Sequence, residues 1–395
     1  MKILMVNKFL YPNGGSETYM FRLGERLTEL GHQVEYFGME HAGRCVSNSA
    51  EAYTEDMDFH NSGALKKLKL SLKTIYSKEA RAKIRLVLEK FTPDVVHLNN
   101  FNYQLTPSII LEIRKWEREA QKKVKIIYTA HDYQLICPNH MLYNNDTVCE
   151  NCIGGNFISC TKGRCVHSSM LKSLIGTAEA VYWNKNKVYE QLDTVICCSE
   201  FMKNKLDTNP VFKNKTIAMH NFIEQKRIDD TAKEDYVLYF GRLSKEKGID
   251  TLLDCTDIKL VVAGTGPLED YVTSKENVKY VGFKTGDELA SLISKAKATV
   301  YPSVWYENCP FSVMESIMYG TPVVASDIGG IPELIDNGKT GILVEPNNAS
   351  QLEKAIKQIC ENNDRAAQMS KACLEYKFDT VDEYCGKLIE IYKAN

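Results

Sequence analysis

The chain lacks any long apolar run. None of its 395 residues belongs to a stretch near the roughly 18 apolar residues of a membrane-spanning helix. Its opening Ile3-Leu4-Met5-Val6 is also shorter than the core of a signal peptide, about 7–15 residues. The expectation is a protein that starts in the cytosol and stays there, or rests on a membrane surface. An excess of one charge is missing as well. Forty-nine Lys and Arg against 51 Asp and Glu leave a net charge of −2, so no global field favours nucleic acid. The 44% hydrophobic and 25% charged composition is that of a soluble globular chain, and the length implies two or three domains.

Cysteine is not scarce. Thirteen are present, an odd number in a long chain, so reduced thiols or a metal site fit better than a disulfide scaffold.

The recurring pattern is a short β-rich run, a loop and an amphipathic helix, the signature of parallel sheets with crossover helices. In the first half, segments 2–7, 33–38, 94–98, 124–129 and 193–198 read as buried strands, with 215–219 as a last one. Glu17–Leu30 has helical spacing and Gly31 is a good stop. After a polar stretch from 224 to 234, a second cycle runs through 235–241, 258–264, 278–282, 298–302 and 322–326. The boundaries expected are 1–225, with a Cys-rich insertion at 137–167, then 226–378, and a C-terminal helix in 379–395 returning to the first domain. Two doubly wound Rossmann-like domains facing a central cleft would bind ligand at the carboxyl ends of their strands.

The most informative segment is WYENCPFSVMESIMYGTPVVAS, 305–326. Pro310 suits the first helical position, which puts Glu307 in the preceding loop with Asn308 and Cys309, and Glu315 on the second turn. The amides of Phe311, Ser312 and Val313 then form an anion site. A diphosphate seated there would have a sugar near Glu307 and a ribose near Glu315; the plain alternative is two surface glutamates beside a buried helix. Arg242 ends the second cycle's first strand, and Glu246-Lys247-Gly248 opens the next helix. Two cations there can neutralise a pyrophosphate and the charge that builds on a leaving diphosphate. No Asp-x-Asp metal clamp stands beside them. Gly264 and Gly266 follow a strand but Glu269 takes the place of the third glycine, so the turn can be purely structural. In the first half, Gly14 and Gly15 let backbone approach a ligand, with Ser16 a candidate N-cap. His131-Asp132 follows a strand, where the imidazole can reach sugar hydroxyls or the reacting oxygen. His97 reads as a core residue.

Together these pieces resemble the retaining GT-B-fold glycosyltransferases of family 4, of the kind that build bacterial surface polysaccharides. The resemblance spans nearly the whole chain: GGSE (14–17), DVVHL (94–98), HD (131–132), HNF (220–222), GRLSKEKG (241–248), the Glu307/Glu315 pair and SDIGGIPELI (326–335). It implies a nucleotide-diphosphate-sugar donor, no catalytic metal and transfer with retention to a glycan or lipid-linked saccharide. Glu307 would contact the hexose, Glu315 the ribose, and Arg242 with Lys247 the diphosphate. His131 and the Gly14–Gly15 loop would approach the reacting centre. The turn containing Phe283 and Lys284 would meet the base. Cys309-Pro310 departs from the family pattern, which bears on the shape of the hexose pocket. A non-catalytic sugar-nucleotide-binding subunit, an epimerase or an NAD-dependent oxidoreductase are the alternatives; the last needs a complete G-x-G-x-x-G that neither candidate strand supplies.

Two accessory features remain. Cys149, Cys152, Cys160 and Cys165 have spacing that could close a structural zinc site, with Cys137, His140 and His167 as substitutes. Residues 65–91 carry apolar side chains at helical spacing and nine Lys and Arg against Glu79 and Glu89, which suits either an anionic membrane surface or a core-packed helix.

Overall fold

The computed structural model describes residues 1–56, 73–224 and 232–394. The chain forms two compact units: Met1–Leu142, Cys149–His220 and Val381–Asn395 make the first, and Tyr143–Val148 with Asn221–Thr380 the second.

The first unit is built on strands β1 (Lys2–Val6), β2 (Gln33–Phe37), β3 (Val95–Leu98) and β4 (Lys125–Ala130). A two-residue-per-strand hairpin, β5 (Tyr143–Asn144) and β6 (Thr147–Val148), is grouped with the second unit, and β7 (Thr194–Cys197) and β8 (Thr216–Ala218) complete the first sheet. Its six parallel strands lie in the order β2-β1-β3-β4-β7-β8. The central strands are buried on both faces, which is why they read as continuous apolar runs. Helices α1 (Gly15–Glu29), α2 (Lys78–Phe91), α3 (Ser108–Ala120), α4 (Ile158–Lys162), α5 (Met170–Lys185) and α6 (Glu200–Leu206) belong to this unit. On α1, Tyr19, Met20, Leu23 and Leu27 form the buried stripe, and Gly31 ends the helix at φ 84°. Ala80, Ile84, Val87, Leu88 and Phe91 of α2 are buried, so the apolar face of the described part of 65–91 packs into the core; positions 65–72 lie outside the described residues.

The second sheet is β11-β10-β9-β12-β13-β14, also all parallel: β9 (Glu234–Phe240), β10 (Leu260–Ala263), β11 (Val278–Tyr280), β12 (Ala296–Tyr301), β13 (Val323–Ser326) and β14 (Gly341–Val344). Around it run α7 (Ile249–Leu253), α8 (Glu269–Thr273), α9 (Gly286–Lys295), α10 (Phe311–Met318), α11 (Ala349–Cys360) and α12 (Asn363–Glu375). Val237, Tyr239, Val262, Val300 and Val324 of this sheet pack with Leu252, Ile356 and Ile359 into its largest apolar core. The last helix, α13 (Val381–Lys393), belongs to the first unit, where Tyr384 Oη lies 2.8 Å from Tyr19 Oη and Asp382 pairs with Arg26. Among the described residues no helix is long and apolar enough to cross a membrane.

Each sheet has one place where the strand order reverses: between β1 and β3 in the first, between β9 and β12 in the second. Connections leave to opposite sides there, which opens a crevice beyond the carboxyl ends of the strands.

Candidate functional site

In the second unit the two strands at the reversal end at Phe240 and Tyr301, and the residues that follow them meet. Lys247 Nζ lies 2.5 Å from Glu307 Oε1. Three more donors reach the same oxygen: Trp305 Nε1 at 2.6 Å, Ser303 Oγ at 2.8 Å and Tyr301 Oη at 3.1 Å. Four hydrogen bonds to Oε1 leave Oε2 without one among the described residues. Lys247 also donates to Tyr301 Oη at 3.2 Å, and its ammonium stands 5.3 Å from the Trp305 ring centroid. Burial alone would push Lys247 down, but the Glu307 charge and these hydrogen bonds hold it above its ordinary value. The lysine is therefore charged, with one N–H beyond those given to Glu307 and Tyr301.

Local geometry explains how Lys247 arrives there. Residues 245–247 form a single tight turn rather than the start of the expected helix, and α7 begins only at Ile249. Gly248 has φ 72°, and a Cβ on it would sit 1.9 Å from the Pro302 carbonyl oxygen. Only glycine lets this turn press against the end of β12.

A cavity of about 400 Å³ at the ends of β9 and β10 is lined by Arg242, Gly264, Gly266, Phe283 and Lys284 among others; the residues of the Lys247–Glu307 cluster do not line it. Arg242 is exposed and its guanidinium has no ion-pair partner among the described residues. Cβ atoms on Gly264 and Gly266 would collide with the backbone of Gly241 and Leu243, so the glycines let the Arg242 turn lie flat on β10. Phe283 is 68% exposed at the cavity rim, and Lys284 pairs with Glu288 at 3.1 Å.

Pro310 is the N-cap of α10 in extended geometry, and the helix starts at Phe311. The Val313 amide already donates to the Pro310 carbonyl at 3.2 Å, so the expected three-amide anion site is reduced to Phe311 and Ser312. Glu315 is half-buried on α10 and outside the Lys247–Glu307 cluster; burial pushes its carboxyl up to about 7. Asn308 lies between Glu307 and Cys309. Cys309 is buried, its Sγ accepting from the Asn221 amide at 3.3 Å and its carbonyl from Asn221 Nδ2 at 3.1 Å. Burial pushes that thiol up to about 12, so it is a packed hydrophobe and not a nucleophile.

In the first unit His131 follows β4, its Nε2 3.1 Å from Asn99 Oδ1 and its ring edge-on to Tyr19 at 5.0 Å. Asp132 does not pair with it; its Oδ1 accepts from the Gln134 amide at 2.9 Å. Burial pushes His131 down to about 4. His97 is fully buried between Tyr392 Oη at 2.6 Å and Thr129 Oγ1 at 2.7 Å, as a core residue should be. Gly14 is the N-cap of α1 and Gly15 its first residue, so Ser16 is inside the helix and does not cap it. The Ser16 hydroxyl instead joins Asn100 Nδ2 at 2.9 Å and Glu17 Oε1 at 3.0 Å. Glu17 also accepts from Asn7 Nδ2 at 2.9 Å, which fixes the loop beyond β1 at the reversal of that sheet.

A family model described as Glycosyltransferase Family 4 matches residues 13–227, more than half of the chain, and one described as Glycosyl transferases group 1 matches 221–375. The chain belongs to glycosyltransferase family 4. An uncharacterized 42.6 kDa protein in the cps region of Klebsiella pneumoniae is 26% identical over 358 residues, covering 85% of this chain and 87% of that protein. The uncharacterized glycosyltransferase MJ1178 of Methanocaldococcus jannaschii is 29% identical over 181 residues, 44% of this chain. That match spans about half, 51%, of MJ1178. The crystal structure of Anabaena Alr3699/HepE in complex with UDP-glucose superposes with a TM-score of 0.66 at 16% identity, covering 99% of this chain and 100% of that one. The fold is GT-B, and the protein is a glycosyltransferase.

The sequence motifs of this glycosyltransferase named Glu307 and Lys247 but not the residues that hold them. Tyr301, Ser303 and Trp305 were missed, although they occupy alternate positions leading into Glu307. The Gly329-Gly330 pair lies in the quoted segment 326–335 but was given no role there; its second amide donates to the Glu307 carbonyl at 2.7 Å. The zinc expectation is not met: among the described residues no group of three or more His, Cys, Asp or Glu side chains could hold a metal ion. Cys152 and Cys160 are buried in a small apolar cluster with Phe157 and Ala180, against which Cys165 packs. Burial pushes Cys152 and Cys165 up to about 12, and the neighbouring thiols add to the shift.

Proposed function

We propose that this glycosyltransferase moves a hexose from a nucleotide-diphosphate donor to a saccharide or lipid-linked acceptor, retaining anomeric configuration. The second unit takes the donor and the first the acceptor, with the functional boundaries at 1–225 and 226–378, in surface-polysaccharide synthesis at the cytoplasmic face of a membrane. The observation that carries the reading is Glu307 held by four donors through one oxygen, with Oε2 open and the charged Lys247 against it, in the same unit as the Arg242 cavity.

The chemistry follows from that charge layout. Glu307 Oε2 accepts from hexose hydroxyls and fixes the ring. The anomeric C–O bond breaks with its electron pair staying on the diphosphate, and the remaining Lys247 N–H and the Arg242 guanidinium meet that growing charge. The acceptor hydroxyl oxygen bonds to the same face of the anomeric carbon, and its proton passes to the departing phosphate oxygen. His131 and the Gly14–Gly15 backbone approach the reacting centre, the glycines on the donor; Glu315 takes the ribose diol; Phe283 and Lys284 frame the base; Phe311 and Ser312 offer their amides to phosphate. A neighbour of the same fold was crystallised with UDP-glucose, so UDP-sugars head the test.

The test is a thermal-shift screen across UDP-, GDP- and ADP-sugars, since a bound donor raises the melting temperature by mass action. NMR of the product from the stabilising donor then reads the anomeric configuration. A donor that stabilises but is neither hydrolysed nor transferred would reduce the protein to a binding subunit. An inverted product would remove same-face attack.

A further inference from the structure

Helix α5 is amphipathic in the reverse sense. Ser173, Gly176, Thr177, Glu179 and Ala180 face the protein, and two of the polar ones are tied down: Thr177 Oγ1 lies 2.7 Å from Thr161 Oγ1 of α4, and Ser173 Oγ accepts from the Val166 amide at 2.9 Å. The solvent face carries Leu171, Leu174, Ala178 and Val181, spaced by three and four, and then Lys185. Leu171 is 60% exposed, Leu174 52% and Val181 45%. Six of the twelve large apolar side chains exposed among the described residues fall between Ile158 and Tyr182. Single exposed apolar residues are ordinary on a protein surface, but a continuous stripe marks a docking face.

The charge around the stripe selects its partner. Lys162, Arg164, Lys172, Lys185 and Lys187 are all exposed. The only acid from Asn151 to Tyr189 is Glu179, and it is 2% exposed. A second copy docking through this face would bring two sets of cations together with no acid between them. The stripe lies on an exposed helix flank with lysines around it, and long basic side chains beside exposed leucines match a headgroup layer over acyl chains.

We propose that α5, with α4 beside it, is the face by which this glycosyltransferase sits on an anionic bilayer. Leu171, Leu174 and Val181 enter the boundary between headgroups and acyl chains, and the flanking Lys and Arg hold lipid phosphates. The inference is independent of the donor-site reading. It also separates membrane contact from α2, whose apolar face is spent on the core.

The experiment is co-sedimentation of the full chain with phosphatidylcholine vesicles containing phosphatidylglycerol and with pure phosphatidylcholine vesicles, at low and high salt. The variants are Leu174→Ser/Val181→Ser and Lys172→Glu/Lys185→Glu. These positions face solvent, and unchanged melting temperatures show that the variants fold. The expected result is salt-sensitive binding to the anionic vesicles, reduced about tenfold or more in each variant. No binding by the parent protein at low salt, or equal binding by the variants, overturns the proposal. So does a concentration-dependent dimer in light scattering that Leu174→Ser/Val181→Ser abolishes without lipid binding, since the stripe would then belong to self-association.

Discussion

The Lys247 ammonium and the Glu307 carboxylate form a 2.5 Å ion pair whose two sequence positions are brought together by the loops after β9 and β12. The Glu307 side chain is 8% exposed and that of Lys247 19%, so removing one partner strands the other's charge out of water. Lys247→Ala should therefore cost about 3–5 kcal/mol of stability as well as activity. Loss of a cation facing the leaving group should lower turnover about 10²–10³-fold. Glu307→Gln keeps an oxygen for the Ser303 and Trp305 donors and should fold better than Lys247→Ala while still losing turnover. Urea melts and donor-consumption rates on the three proteins separate the two effects; near-parental turnover in a folded Lys247→Ala protein would take that lysine out of the reaction.

Trp305 reaches Glu307 through its indole N–H at 2.6 Å and faces the Lys247 ammonium with its ring. Trp305→Phe keeps an aromatic face but removes a hydrogen bond to a charged acceptor, worth about 1.5–3 kcal/mol. Donor turnover should fall about tenfold or more, with little loss of secondary structure by circular dichroism. An unchanged rate would show that Ser303 and Tyr301 alone suffice to orient the carboxylate.

Gly248 should tolerate nothing larger. At φ 72° and with the Pro302 carbonyl 1.9 Å from the place of a Cβ, Gly248→Ala must move the turn that carries Lys247. The expected outcome is a melting temperature several degrees lower, corresponding to about 1–3 kcal/mol, and loss of donor-induced stabilisation. Gly338, also at positive φ but with open space around it, is the control position: Gly338→Ala should strain the backbone only locally and leave the donor response intact.

His131 predicts a specific pH behaviour. Asn99 Nδ2 faces the Val6 carbonyl at 3.5 Å, which turns its Oδ1 to His131 Nε2, so Nε2 carries the proton of the neutral ring. Burial pushes the pKa down to about 4, so the imidazole stays neutral as pH falls through 6.5 and gains its second proton only near 4. The His131 ring resonance, assigned by its loss in His131→Asn, should not titrate between pH 8 and 5 in NMR. Titration centred near 6.5 would mean that the ring is solvated and free of the Asn99 contact.

How much of this was legible in the sequence follows from range. The alternation of buried strands with helices was readable because parallel strands are apolar on both faces and the helices keep a 3.6-residue period. The last strand of the second cycle was not read: β14 is only four residues, and it follows a turn of Asn, Gly, Lys and Thr that gives no strand signal. At the site, Glu307 and Lys247 stood out by charge near a turn. Ser303 and Trp305 did not, because their value lies in aiming at an oxygen two to four residues along the same loop, which only the folded loop shows. Cys309 looked like part of a sugar pocket by position, whereas its thiol is taken up by the Asn221 amide, a residue 88 positions away.

Glu179 gives the fold a pH dependence of its own. It is 2% exposed in the buried face of α5, Oε1 has no hydrogen-bond partner, and burial pushes its carboxyl up to about 8. The folded state therefore holds this proton more tightly than the unfolded chain, whose glutamates titrate near 4.5. Stability from the protonated carboxyl is complete below about pH 4.5 and is lost as pH rises through about 8, at up to about 1.4 kcal/mol per pH unit. Glu179→Gln keeps the shape without the titration, so its advantage over the parent should grow from pH 6 to pH 9 in thermal melts. A constant difference between the two proteins across that range would mean that water reaches the carboxyl and that α5 is looser on its inner face than its packing against α4 implies.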